Sequence, residues 1–209
     1  MSTGTEKQQY VYVADDDDGL RDSLGALFET IDQPVRLFPS GDALLSHLEG
    51  NEAGCILLDY SMPGRNGMET LEALTERAVT MPVIMMTAHG DVSLAVSVMK
   101  AGALDFIEKP WGKDELFALI ERAMRLDLDC RAEYYARFHA RERVDTLTPR
   151  ELQVFDELIK GASNKVIART LDLSPRTVEF YRSNVLEKSG CTSIAALVRL
   201  AYAAGRVSV

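Results

Sequence analysis

The sequence lacks several features that define whole classes of protein. None of its apolar runs approaches the 18 or more residues that a membrane-spanning helix needs, so no membrane partner is predicted. Its three cysteines, Cys55, Cys130 and Cys191, lie far apart and do not have the spacing of metal ligands or of a disulfide framework. The first ten residues also lack the apolar core of a signal peptide. We therefore expect a cytoplasmic protein whose cysteines are free thiols.

The net charge of −9 is unevenly distributed along the chain. Residues 1–124 hold 9 basic and 21 acidic side chains, whereas residues 147–209 hold 9 basic and 6 acidic ones. Residues 125–146 are balanced, and residues 121–144 contain no proline or glycine. This pattern predicts an acidic domain over 1–124, a helical linker over 125–146 and a basic domain over 147–209. The overall acidity is weak evidence against nucleic-acid binding, because the basic part is separate.

Two hydrophobic periods alternate in the acidic domain. Short apolar runs rich in β-formers alternate with stretches of helical spacing, which predicts a five-stranded, doubly wound parallel α/β sheet. The predicted strands are residues 10–14, 35–38, 55–59, 82–87 and 104–108, and the predicted helices are residues 19–31, 41–49, 67–79, 91–101 and 113–124. The linker is predicted to continue the last of these helices, since good helix formers dominate it.

Polar side chains stand at the ends of four predicted strands. Asp15 and Asp16 follow the first strand, and Asp59 ends the third. Thr87 ends the fourth strand, and Lys109 follows the fifth. Ligands of open parallel sheets bind at the carboxyl ends of the strands, so we expect these side chains to meet at one edge. The run of four aspartates alone would be typical of a solvated loop.

The carboxylates at this edge predict a particular chemistry. Three carboxylates held close together require a cation, and carboxylate oxygens favour Mg²⁺. With the metal bound, an aspartate can accept a phosphoryl group, while a lysine and a hydroxyl bind the transferred oxygens. The residues therefore predict a magnesium-dependent phosphorylation site.

The basic domain is predicted to be entirely helical. The sequence "TPRE" at 148–151 is a capping box with proline at the first helical position. Gly161 is predicted to end that helix and Asn164 to cap the next. Two further helices are predicted over residues 175–189 and about 193–203. Two short helices joined by a tight turn in a small basic domain are typical of helix-turn-helix DNA-binding proteins.

Several of these blocks resemble those of a known family. The sequences "ADDDD", "LLDYSMPGRNG", "MMTAHGDV" and "AGALDFIEKP" are similar to the signature blocks of response-regulator receiver domains. The segment "LTPRELQVFDELIKGASNKVIARTLDLSPRTVEFYRSNVLEKSG" is similar to the LuxR-type helix-turn-helix of the NarL/FixJ subfamily, and "AHGDVSLAVSVMKAGALDFIEKP" is closer to FixJ-like members. The resemblance covers nearly the whole chain. It implies a flavodoxin-like receiver, a sensor histidine kinase as partner and promoter DNA as target.

The resemblance also implies a role for each residue at the acidic edge. Asp59 is implied to be the phosphoacceptor, and Thr87 and Lys109 are implied to bind the phosphoryl oxygens. Phe106 falls where the family keeps an aromatic switch residue that acts with Thr87, although it is equally typical of a core residue. The Lys109–Pro110 bond matches the family's cis peptide. The implied ligands of a Mg²⁺ cofactor are Asp15, Asp16, Asp59 and the backbone carbonyl of Ser61.

For the basic domain, the resemblance implies that the helix over 175–189 enters the major groove of DNA. The residues implied to bind phosphates are Arg176, Thr177 and Arg182. The residues implied to approach base edges are Glu179, Phe180 and Ser183. Two further predicted contacts from the preceding helix are Asn164 and Lys165.

These features favour a phosphorylation-dependent transcription regulator, with no enzymatic activity beyond its own phosphorylation and dephosphorylation. Phosphorylation is predicted to shift the segment "AHGDVSLAVSVM" at 88–99 and to pair two receivers through the apolar helix at 91–101. The product would be a homodimer that presents two helix-turn-helix domains to two half-sites.

Two other functions compete with this one. A magnesium-dependent phosphatase acting on a small molecule would need a substrate pocket and a general acid, and the sequence offers neither clearly. A receiver that dimerises without phosphorylation would be expected to have lost Asp59, Lys109 or the acidic pair, and all of these are present.

Overall fold

A computed structural model describes residues 7–88 and 92–207 of the chain. The chain divides into two compact units, Met1–Cys130 and Arg131–Val209, and the division falls inside the predicted linker. Within the described residues, no helix is both long enough and apolar enough to cross a membrane.

The first unit contains a five-stranded, all-parallel sheet in the order β2-β1-β3-β4-β5. The predicted doubly wound α/β fold is therefore confirmed. The elements are β1 (Tyr10–Ala14), α1 (Asp18–Glu29), β2 (Val35–Phe38), α2 (Gly41–His47), β3 (Gly54–Asp59), α3 (Gly67–Glu76), β4 (Val83–Thr87), α4 (Val92–Lys100), β5 (Asp105–Glu108) and α5 (Lys113–Asp145).

Apolar clusters cover both faces of this sheet. Successive strand residues point to opposite faces, so Val11 and Val13 join one cluster while Tyr12 and Ala14 join the other. The first cluster includes residues of α1 and α5, and the second includes residues of α2, α3 and α4. Burial on both faces explains why β3 and β4 are continuous apolar runs rather than alternating ones.

Three helices end two or three residues earlier than the sequence predicts. Helix α3 ends at Glu76, and Ala78 just beyond it has a left-handed φ of 54° that stops the helix. Helix α2 ends at His47 because Leu48 is extended. Helix α1 ends at Glu29, where residues 30–33 turn back on its last carbonyls. These stops depend on backbone angles that hydrophobic spacing does not encode.

Helix α5 runs without interruption for 33 residues, which confirms that the linker continues the last helix of the first domain. Its first part packs Leu116 and Ile120 against the sheet. Asp127, which the sequence places in the linker, is fully buried in the first unit. Its Oδ2 atom accepts hydrogen bonds from the Gly54 amide at 3.0 Å and from the Gln9 side chain at 2.9 Å.

The described residues of the second unit form helices joined by short turns, with no strand among them, as predicted. After the end of α5 its helices are α6 (Pro149–Ile159), α7 (Asn164–Thr170), α8 (Pro175–Ser189) and α9 (Ile194–Ala203). The capping box at Thr148 and Glu151 is present. The prediction that Asn164 caps α7 is wrong, because the cap is Ser163, whose hydroxyl accepts from the Val166 amide. Both residue types favour this position, and the chain turns one residue earlier.

Candidate functional site

The sheet places four of the predicted site residues at the carboxyl ends of neighbouring strands. Asp59 is the last residue of β3, and Asp15 follows the end of β1 beside it. Thr87 is the last residue of β4, and its carbonyl accepts a hydrogen bond of 2.7 Å from the Lys109 amide beyond β5. The Asp15, Asp59 and Thr87 side chains are all buried. Residues far apart in sequence thus form one polar edge.

The side chain of Lys109 connects two of the carboxylates. Its Nζ atom lies 2.7 Å from Oδ2 of Asp15 and 2.6 Å from Oδ1 of Asp59. The peptide bond between Lys109 and Pro110 is cis, as predicted. One ammonium group therefore compensates part of the charge of two buried carboxylates.

The remaining carboxylate oxygens show why Asp16 differs from its neighbours. Oδ1 of Asp15 accepts from the Asp17 amide, and Oδ2 of Asp59 accepts from the Ser61 amide, both at 2.9 Å. Asp16 is exposed, and its carboxylate makes no hydrogen bond or ion pair with any described residue. Ligand oxygens of Asp15, Asp16 and Asp59 all lie within 4.8 Å of one another.

The other two aspartates of the run stabilise the start of α1. Oδ1 of Asp17 accepts from the Leu20 amide and caps the helix. Asp18 lies in the first turn, where its charge favours the helix dipole, and it pairs with Arg21. Of the four consecutive aspartates, Asp15 and Asp16 thus belong to the carboxylate cluster, and Asp17 and Asp18 begin helix α1.

Burial and charge shift the ionisation of the central pair. Burial raises the pKa of Asp59 above its ordinary value of 3.8; Lys109 opposes this shift and the Asp15 carboxylate adds to it. Burial alone would lower the pKa of Lys109, but its hydrogen bonds to the two carboxylates outweigh burial and raise that pKa. Lys109 therefore stays charged, and three carboxylates around one ammonium leave an excess of negative charge. These hard oxygen ligands fit a divalent cation such as Mg²⁺.

Phe106 and helix α4 pack on the same face of the sheet. Phe106 pairs in register with Met85 of β4, is half-buried and packs against the core cluster that includes Val98 of α4. Val92, Val96 and Met99 of α4 are exposed. Part of the segment predicted to move, residues 89–91, lies outside the described residues.

Sequence analysis missed two residues that shape the pocket. Gly67, at the start of α3, approaches the chain after β3 so closely that a Cβ atom would lie 2.3 Å from the carbonyl oxygen of Asp59. The capping box formed by Asn66 and Glu69 was a signal in the sequence for a helix start at this point. Arg21 donates to the backbone carbonyl of Asp15 at 2.5 Å, and no local pattern indicates that contact.

In the second unit, α8 carries most of the residues predicted to contact DNA. The exposed ones are Arg176, Glu179, Phe180 and Ser183, together with Lys165 of α7. The Thr177 hydroxyl is hydrogen-bonded to Ser174 at 2.7 Å, and Arg182 donates to the Asn164 side chain at 3.3 Å. The structure therefore brings Asn164 and Arg182 together across the two helices of the motif. Val178 and Val185, on the opposite side of α8, are buried.

Comparison with known proteins agrees with both units. Residues 11–121 match the response regulator receiver domain, and residues 145–201 match the bacterial regulatory proteins of the luxR family. The chain is 46% identical over 200 residues to the transcriptional regulatory protein FixJ of Bradyrhizobium diazoefficiens, covering 95% of this chain and 97% of that protein. It is 42% identical to FixJ of Azorhizobium caulinodans, covering 93% and 92%. The solved structure of the response regulator StyR superposes with a TM-score of 0.87 at 34% identity, covering 93% and 98%.

The chain therefore belongs to the response regulators that join a receiver domain to a luxR-family DNA-binding domain. Within them it is FixJ-like, as its sequence blocks predicted. The residues that match the receiver domain, 11–121, lie in the first unit.

Proposed function

We propose that this chain is a cytoplasmic transcription regulator that is switched on when a sensor histidine kinase transfers a phosphoryl group to Asp59. The observation that carries the proposal is the position of the Lys109 ammonium, within 2.7 Å of carboxylate oxygens from both Asp15 and Asp59. An ammonium held there compensates the acceptor's charge and afterwards binds the oxygens of the transferred group.

Asp59 is the acceptor in this proposal because of what binds each of its oxygens. Oδ2 accepts from the Ser61 amide, whereas Oδ1 accepts from the ammonium group of Lys109. Oδ1 can attack the phosphorus of the kinase's phosphohistidine; the P–N bond breaks, the imidazole leaves with its electron pair, and Lys109 then binds the oxygens of the transferred group. Thr87, buried at the end of the neighbouring strand, supplies a hydroxyl as the other phosphoryl contact.

Mg²⁺ is the proposed cofactor, and Asp15, Asp16, Asp59 and the Ser61 carbonyl would hold it. When bound, the metal neutralises charge on the transferred phosphoryl oxygens. The free carboxylate of Asp16 supports this assignment, since the other carboxylates already have protein partners. Replacing Asp16 with asparagine should weaken Mg²⁺ binding, and unchanged affinity in isothermal titration calorimetry would contradict its role as a ligand.

The output step we propose is pairing of two receivers through α4. The phosphoryl group draws in the Thr87 hydroxyl, the segment that follows shifts, and Phe106 turns inward. The exposed apolar side chains of Val92, Val96 and Met99 then provide the contact surface. Pairing places two DNA-binding domains together, with α8 of each in a major groove.

The phosphorylation step is tested by labelling with acetyl phosphate in the presence of Mg²⁺. Mass spectrometry should find one added phosphoryl group on the wild-type chain and none on Asp59→Asn. Asp22→Asn is the matched control, because it makes the same charge change at an exposed position of α1, outside the carboxylate cluster. Labelling of Asp59→Asn at the wild-type rate would disprove the assignment.

A further inference from the structure

The end of helix α5 belongs structurally to the DNA-binding unit. Ala140 and Val144 are buried in the same apolar cluster as Val154 of α6, Val185 of α8 and Leu197 of α9. The luxR-family match begins only at residue 145. Residues outside the matched domain therefore complete the core of the unit that carries α8.

Arg143 of this segment binds the carboxyl end of α8. Its Nε donates to the Ser189 carbonyl at 2.7 Å, its Nη2 donates to the same oxygen, and Nη2 also lies 3.5 Å from Cys191 Sγ. Ser189 is the last residue of α8, and Gly190 after it closes the helix in the left-handed conformation. A cation at this point satisfies an orphan carbonyl and favours the helix dipole.

The same turn of α8 is held from α6 as well. Lys188 forms an ion pair of 2.7 Å with the buried Glu151 side chain. Two adjacent residues at the end of α8 are thus bound by two different helices. The exposed residues Glu179 and Phe180 lie nearer the other end of α8, and their side chains make no hydrogen bond or ion pair with the described residues of the unit. Because α8 is one continuous helix of 15 residues, the contacts at its last turn act together with the buried Val178 and Val185 to set the direction in which these side chains point.

We propose that Arg143 is a positioning residue for sequence-specific DNA recognition: it fixes the carboxyl end of α8 and thereby aligns the side chains that approach the bases. The inference rests on the proposed DNA binding by α8. It extends the functional DNA-binding unit into the linker, upstream of the matched domain.

The test compares full-length chains activated with beryllofluoride. A DNA duplex is selected from a random pool by the wild-type chain, and a scrambled duplex of the same composition serves as the non-specific probe. The variants are Arg143→Met, which keeps the apolar stem, and Arg143→Lys, which keeps the charge with one donor group. Arg137→Met is the matched control, since Arg137 is an exposed arginine of the same helix whose ion pair, with Glu133, is local.

We expect Arg143→Met to weaken binding to the selected duplex about tenfold, the scale of one charged hydrogen bond. Binding to the scrambled duplex and the slope of affinity against salt should stay at wild-type values, and Arg143→Lys should restore part of the loss. Hydrogen exchange should become faster in the last turn of α8. That measurement needs no DNA and reports on a folded variant directly.

Four results would overturn the inference. A salt slope smaller by about 1, with equal losses on both duplexes, would mean that Arg143 contacts a phosphate itself. Binding of Arg143→Met equal to that of the Arg137→Met control, or unchanged exchange in α8, would mean that the contact aligns nothing. If the wild-type chain selects no duplex, the proposed DNA function fails first, and the inference fails with it.

Discussion

The ammonium of Lys109 lies 2.6 Å from a carboxylate oxygen of Asp59, although the two residues are 50 positions apart in the chain. The lysine keeps its charge because its pKa is raised, whereas burial makes the carboxylate easier to protonate. The pair joins the ends of β3 and β5, which are not neighbours in the sheet. Holding the charged Asp59 carboxylate in a buried position is therefore expected to lower the stability of the first unit, and thermal unfolding can measure this cost.

We expect Asp59→Asn to raise the melting temperature of the first unit at neutral pH by a few degrees. The pKa of Asp59 is raised above 3.8 in the folded state, mainly by burial. Its favourable contribution to stability is therefore complete below pH 3.8 and is lost as the pH rises through the raised pKa. The asparagine amide stays neutral, so the advantage of the variant should grow from acidic to neutral pH.

Thermal unfolding of the first unit can be followed by the fluorescence of Trp111, the single tryptophan of the chain. The exposed Asp22 on α1 again provides the control, since Asp22→Asn should change the melting temperature little at any pH. Equal changes of melting temperature in the two variants at neutral pH would show that the charged Asp59 carboxylate does not destabilise the folded first unit.

Gly67→Ala should slow phosphorylation and destabilise the first unit by about 1–3 kcal/mol, as overpacking does. The added Cβ would lie 2.3 Å from the Asp59 carbonyl oxygen and 2.7 Å from Cα of Tyr60. Both are backbone atoms, so a change of side-chain rotamer cannot relieve the clash. Gly112→Ala is the control, because its Cβ would meet nothing within 4 Å. Urea unfolding and acetyl-phosphate labelling measure the two effects. A wild-type labelling rate in Gly67→Ala would mean that the loop after β3 can shift without cost.

Glu151 should make the second unit sensitive to acid. The hydrogen bond from Lys188, with those from Thr148, lowers the pKa of Glu151 from 4.5 to about 2. Its contribution to stability is therefore present above pH 4.5 and is lost as the pH falls toward about 2. Glu151→Gln should cost about 1.5 kcal/mol at neutral pH and remove that pH dependence.

Differential scanning calorimetry can measure this effect in the full-length chain. The control is Glu187→Gln, which makes the same charge change at an exposed position of α8. If the acid-induced loss of stability persists unchanged in Glu151→Gln, other carboxylates of the unit are responsible.

Val96→Glu should abolish pairing of activated receivers without affecting phosphorylation. A charge on the exposed face of α4 would be buried without a partner in the pair. Ile31→Glu is the control, since Ile31 is an apolar side chain of similar exposure outside α4. Sedimentation velocity with and without beryllofluoride distinguishes monomer from dimer. A wild-type chain that remains monomeric when activated, or that is already dimeric with equal DNA affinity before activation, would contradict the coupling of phosphorylation to pairing.

Much of the fold could be predicted from local patterns. Alternating periods predicted the elements of the sheet, and the rule that strands of a parallel sheet end at a common edge predicted that Asp15, Asp59 and Lys109 would meet. The division of labour among the four aspartates could not be predicted, because it depends on which oxygen accepts from which amide. Asp15 is buried and accepts from the Asp17 amide, whereas Asp17 is exposed and accepts from the Leu20 amide.

The residues that sequence analysis missed make tertiary contacts with backbone atoms. Asp127 resembles any acidic linker residue until the fold places it beside the Gly54 amide. Arg143 lies in a helix with a balanced charge pattern, and its partner is a backbone carbonyl that no side-chain pattern reveals. Gly67 is required by the close approach of one backbone to another. Tertiary contacts to backbone atoms leave no periodic signal in a single sequence.

Different residues on the exposed face of α8 should determine the affinity for DNA and the specificity for its sequence. Phe180 is 62% exposed, with its ring centroid 5.8 Å from that of the adjacent Tyr181, and it offers an aromatic surface to a base, whereas Arg176 offers a charge suited to a phosphate. We expect Phe180→Ala to cost about 1–3 kcal/mol on a selected duplex and little on a scrambled one. Arg176→Ala should weaken both about equally and reduce the salt slope by about 1. Fluorescence anisotropy over a range of salt concentrations measures all four quantities, and the same response from both variants would contradict this assignment of roles.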